Sequence, residues 1–175
     1  MCRDDQDHFT VGVVSCLIAM SVALVVLGVF VLDWFVVGRM SIDLWAVCRC
    51  DSPAGCASHP LASAGLGGFH LYAAATLWLT AFAIVPVLIQ TGGYLLGKRP
   101  WKYTPMIGYA TGASCIASVL ATVYAAGPTL HGSMNAAPFV IVVANALGMI
   151  AMYCASSRLD APTPASMRIP AARVV

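Results

Sequence analysis

Between Lys102 and Arg158 lie 55 consecutive residues with no charged side chain and a single histidine, His131. At about 1.5 Å per helical residue, such a stretch crosses a hydrocarbon core of ~30 Å twice, and no water-exposed surface can be built from it. The rest of the chain shares the imbalance: hydrophobic residues make up 60 % and charged residues 9 %, with no glutamate. That leaves too little charge to cover a globule of 175 residues. The expectation is an integral multi-pass membrane protein whose main partner is the lipid bilayer.

Uncharged segments of bilayer length give four spans, at about 10–32, 67–92, 105–126 and 136–155. Each is close to or above the ~20 residues that a crossing helix needs. Helices are expected because unpaired backbone groups cost several kcal/mol each in hydrocarbon, and a helix satisfies its own. The first run continues to Leu32 and is closed by no small-x-small cleavage site, so it reads as a retained span, not a secretory leader. Pro86 removes one intrahelical bond from the second span and predicts a kink there. The fold class expected is thus an all-α membrane protein, a four-helix transmembrane bundle over residues 1–158. It carries a large first outer loop at 33–66 and a disordered cytoplasmic tail at 159–175.

The nine basic residues set the orientation. With both termini cytoplasmic, Arg3, Lys98, Arg99, Lys102, Arg158, Arg168 and Arg173 lie inside and only Arg39 and Arg49 outside, as the positive-inside rule favours. Trp101, Tyr103 and Trp34 then fall where aromatic belts form. The net charge of +2 reports topology, and no nucleic-acid partner is expected.

The outer loop is the largest soluble segment. Trp34–Val37 and Ile42–Val47 are short apolar or alternating runs separated by Gly38–Ser41, and predict two strands and a turn. Asp51–Gly55 is turn chemistry. Cys16, Cys115 and Cys154 fall within spans as small apolar fillers, and Cys2 is a weak acylation candidate. Cys48, Cys50 and Cys56 share the outer loop, and the second outer turn at 127–135 has no cysteine. Any disulfide between outer segments closes within the first loop, and because Cys48 and Cys50 bracket a single residue, Cys56 is the expected partner of one of them.

Trp34 just after the first span, then Leu44-Trp45-Ala46-Val47-Cys48 and Cys56 in the same loop, resemble the W…GLW-x-x-C…C signature of the claudin-like four-transmembrane superfamily. That group takes in claudins, peripheral-myelin-type proteins, channel gamma subunits and, on a related plan, amastin-type surface proteins. The resemblance implies a small outer sheet stapled by Cys48 and Cys56, with Cys50 as the alternative partner, and a tryptophan packed beneath the sheet at the membrane surface. It departs from the family at Asp43, where glycine is usual, in a shorter Trp34 to Trp45 interval and in the absence of a basic residue just ahead of the second span. Barrier and pore functions are not carried over.

Small residues recur at four-residue spacing in the last two spans: Gly108 and Gly112, Ser114 and Ser118, Ala144 and Gly148. They mark close helix packing, either within the bundle or against another membrane protein or a second copy. His59, His70 and His131 all fall on the outer side as weak metal candidates without ligand spacing, and no metal or other cofactor is expected. No span contains Asp, Glu, Lys or Arg, which argues against a pump or ion-coupled transporter. The expected function is non-enzymatic: a claudin-like structural, adhesion or auxiliary subunit acting through its outer loop and lateral packing. The alternatives are an accessory transmembrane subunit of a respiratory or photosynthetic complex and, with Cys48-Arg49-Cys50 as a reactive pair, a quinone-linked thiol oxidoreductase.

Overall fold

The computed structural model of the protein describes residues 3–52, 55–61, 66, 68–98, 100–130 and 133–159. Among them are four helices long and apolar enough to cross a membrane: α1 (Arg3–Val26), α2 (Phe69–Leu95), α3 (Thr104–Leu130) and α4 (Ala137–Leu159). α1 closes in a π-helical turn, Leu27–Val31, sealed by a bond from the Leu32 amide to the Leu27 carbonyl at 2.9 Å. The apolar spans, Phe9–Val31, Phe69–Leu95, Thr104–Ala126 and Ala137–Ser157, fall within a few residues of the expected segments. Pro86 is buried inside α2, which continues through it. The tail expected to be disordered lies outside the described residues beyond Leu159.

The helices pack as a bundle in which α4 touches the other three, α2 lies closest to α3, and α1 and α3 face each other across the diagonal. Gly28 and Gly148 explain how α1 reaches α4. A Cβ at Gly28 would stand 2.7 Å from Ile141 Cγ1, and one at Gly148 would stand 3.2 Å from Ser21 Oγ. Neither contact is open to a larger residue without displacing a neighbour.

The first outer loop is richer in strands than expected. β1 (Phe35–Val37), β2 (Met40–Ile42), β3 (Ala46–Ser52) and β4 (Gly55–Pro60) form an antiparallel meander. A two-residue strand from the α3–α4 connection, β5 (Ser133–Met134), completes the sheet order β4-β3-β2-β1-β5. Gly38, at φ +60°, makes the β1–β2 turn that side chains disfavour. The expected single strand over 42–47 is two strands broken by a tight turn, in which the Asp43 amide donates to the Ala46 carbonyl at 2.9 Å. The alternation therefore slips: Ile42 and Leu44 point inward, and so does Val47 in place of Ala46. Residues 51, 52 and 55, expected in a turn, are strand, and 53–54 lie outside the described residues.

Candidate functional site

Trp34 seats the sheet on the bundle. It is wholly buried, and its indole N–H donates to the Gly28 carbonyl at 3.1 Å, near the helix end where carbonyls run short of amide partners. Its backbone is held from both sides, its amide donating to the Ile42 carbonyl at 2.9 Å and its carbonyl accepting from the Asn135 amide at 3.0 Å. Phe35, Ile42, Leu44, Val47 and Leu61 continue the same apolar cluster, and Phe35 meets Phe69, the first residue of α2, edge to face at 5.7 Å. One residue thus joins α1, the first loop and the second loop.

Of the two tryptophans in the motif that the resemblance rests on, Trp34 lies beneath the sheet and Trp45 does not. Trp45 is 42 % exposed and leans on Phe30, also exposed, with ring centroids 4.9 Å apart. The turn at Asp43 swings Leu44 inward beside it. Trp45 also hydrogen-bonds the Asp43 carboxylate, which lies against Asp33. Ser41 Oγ donates to Asp33 Oδ1 at 2.6 Å. Burial, followed by the charge of Asp33, raises the Asp43 carboxyl above its ordinary value of 3.8, and the Trp45 bond works against that rise.

The expected bridge from Cys48 to Cys56 is not formed. Cys48 carries a free, half-buried thiol, and its cross-strand partner in the β3–β4 register is Ser58. Cys50 and Cys56 have side chains outside those described, and the β3–β4 register shifts between Arg49 and Ser52. The histidine candidates are not gathered: His59 is exposed on β4, His70 is half-buried in the first turn of α2, and His131 lies outside the described residues. Among the described residues, no three His, Cys or Asp side chains converge.

The small-residue ridges turn inward. A Cβ at Gly108 would meet Met152 Sδ at 2.5 Å, and one at Gly112 would meet Met149 Sδ at 3.1 Å. Ala144 is buried, and its carbonyl accepts from Ser21 Oγ at 2.8 Å. Ser118 bonds Thr76 across the α2–α3 seam at 2.7 Å, whereas Ser114 faces outward and bonds its own helix at Ala110. Apart from Ser114, these positions serve the bundle's own packing.

A line of uncharged polar groups that sequence reasoning passed over runs through the same seams. Thr76 also bonds Thr122 at 2.8 Å, Thr80 meets Cys115 Sγ at 3.2 Å, and Asn145 donates to that sulfur at 3.3 Å. A cavity of ≈ 10 Å³, about the size of one water, is lined by Ser21, Thr80, Gly108, Gly112, Asn145 and Gly148. Elsewhere in the bundle, buried Gln90 donates to Ser156 Oγ at 2.9 Å, while its Oε1 has no partner among the described residues. The spacings Thr76 to Thr80 and Ser118 to Thr122, and the lone amides Asn145 and Gln90 in otherwise apolar spans, were the available signals. These groups hold helices together by hydrogen bonds and present no acid or base for proton transfer.

A comparison of the chain with models of known protein families and with curated proteins gives no match to either.

Proposed function

We propose that the protein is a non-enzymatic membrane subunit of claudin-like plan, structural, adhesive or auxiliary to a larger partner, with both termini cytoplasmic. One observation carries this reading: both outer loops are spent on a single sheet seated on the bundle by Trp34, with β4 left as a sheet edge. Ala57, Ser58 and His59 on that edge are exposed, and unpaired strand edges are templates for pairing with another chain. With the glycine ridges spent inside the bundle, lateral packing falls to the outward face of α3 around Ala113 and Ala117. With the Cys48 thiol free and Ser58 across from it in the β3–β4 register, Cys50 is the remaining outer-loop partner for Cys56.

Photo-crosslinkers at Ser58 and at Ala117, activated in the native membrane, test the reading. It expects a discrete adduct from Ser58 with another membrane protein or a second copy. Adducts confined to Ala117 that comigrate with a haem- or pigment-bearing complex would replace it with the accessory-subunit reading. Non-reducing mass spectrometry that finds a Cys48–Cys50 bond reduced by quinol would replace it with the thiol oxidoreductase.

A further inference from the structure

The turn between α2 and α3 is tightly built, and its Lys98 and Lys102 have no ion-pair partner among the described residues. Gly97, at φ +64°, reverses the chain after α2, with the Leu96 amide donating to the Gly92 carbonyl at 3.0 Å and the Lys98 amide to the Gly93 carbonyl at 2.8 Å. Pro100 folds back over Gly93, where an added Cβ would stand 3.0 Å from Pro100 Cδ and 3.1 Å from the Lys98 carbonyl oxygen. Only glycine lets the turn close this far onto the helix. The Thr104 amide then donates to the Trp101 carbonyl at 2.9 Å and starts α3.

This closure presents Lys98 and Lys102 on either side of Trp101, all three exposed. Trp101 meets Tyr103 edge to face at 5.1 Å, and Lys102 Nζ lies 4.8 Å from the centre of the Tyr103 ring. Leu96, 73 % exposed, adds a large apolar side chain to the same end of the bundle. No acidic residue occurs anywhere from 52 to 159, and neither lysine has an ion-pair partner among the described residues. The first turn of α3, the helix's positive end, also lacks an acid. Exposed aromatic and apolar side chains beside exposed ammonium groups, at the end of two spans, match the boundary of a bilayer.

We infer that the α2–α3 turn binds anionic phospholipid headgroups, Lys98 and Lys102 pairing with phosphate while Trp101 and Leu96 seat in the interface. The partner is lipid and not a free anion, because the apolar half of the patch has value only against acyl chain and glycerol. The full chain in phosphatidylcholine bilayers containing phosphatidylglycerol, read by the motionally restricted fraction of spin-labelled lipids, tests this directly. The unmodified protein should select phosphatidylglycerol over phosphatidylcholine. Lys98→Ser with Lys102→Ser should lower that selectivity by about fivefold for each lysine removed. Lys98→Arg with Lys102→Arg should keep it, and Gly93→Ala, which retains every charge but lifts Pro100, should weaken it. No selectivity in the unmodified protein, full selectivity in the double serine variant, or displacement of the lipid by inorganic phosphate at constant ionic strength would each overturn the inference.

Discussion

Beneath the outer sheet the buried side chains include the large Trp34, Phe35, Ile42 and Leu44, whereas along the helices many are small or hydroxylated, such as Ala73, Ala144, Ala155, Thr76 and Thr122, beside a few larger ones, Val14, Ile141 and Met152. Many of the large residues of the helices, among them Trp78, Phe82, Leu120 and Tyr153, turn away from the bundle. Each arrangement follows from its solvent. Next to water, covering a large apolar surface is the main source of stability, at roughly 25 cal/mol per Å². Next to lipid, that gain vanishes, since an acyl chain is as apolar as leucine. Close backbone approach and hydrogen bonds then have to hold the helices.

The sharpest way to break this contrast is to remove the aromatic that the sheet depends on. Trp34→Ala deletes the largest buried side chain and its bond to Gly28, and is expected to cost about 3–5 kcal/mol. Residues 35–60 should become sensitive to protease while the four spans stay inserted. Loop resistance equal to that of the unmodified protein would mean that Trp34 is not the seat of the sheet. In the bundle the corresponding lesion is addition, not removal. Gly108→Leu drives a side chain into Met152 and should destabilise the helices by about 1–3 kcal/mol in detergent unfolding. Pairing it with Met152→Ala should return much of that loss, and strict additivity of the two would show that the contact is not what fails.

The same contrast decides what could be read in the sequence. The spans were legible because lipid demands about 20 uncharged residues whatever the packing. Gly108, Gly112 and Gly148 were legible as packing positions, and the structure assigns them to this chain's own seams. Thr76, Thr122 and Asn145 were not, since an uncharged polar residue in a span can back-bond its own helix or reach across to another, and only tertiary position separates the two. The sheet was partly hidden for a different reason. Strands of three residues leave barely one period of alternation, and the turn at Asp43 shifts its phase, so Leu44-Trp45 reads as strand while forming a corner.

Gln90 sharpens the comparison from the helix side. Ser156 Oγ gives its proton to the Met152 carbonyl at 2.8 Å, so it can only accept from Gln90, which fixes the amide orientation and leaves Oε1 without a donor. A buried acceptor left unpaired costs about 1–3 kcal/mol, against about 1 kcal/mol for the bond that Gln90 does make. Gln90→Leu is therefore expected to leave stability unchanged or raise it by up to about 1 kcal/mol in the same unfolding assay. A clear loss would reveal that a donor reaches Oε1 in the membrane and that this seam is more fully satisfied than its contacts show.

The smallest effect is expected at the sheet's surface, where burial and charge meet in Asp43. Its carboxyl is raised by burial and then by Asp33, so the folded protein holds the proton more tightly than the unfolded chain does. The stabilisation is fully present below the ordinary value of 3.8 and is lost as pH rises through the raised value, which leaves two neighbouring carboxylates to repel each other at neutrality. Hydrogen exchange of β2 and β3, corrected for its intrinsic pH dependence, should thus show protection falling from acid to neutral pH. Asp43→Asn still accepts from the Trp45 indole and can donate to Asp33, so it should raise protection at neutral pH and flatten the dependence. An identical slope in the variant would place the pH response elsewhere and leave the Trp34 seat, not this corner, as the determinant of sheet stability.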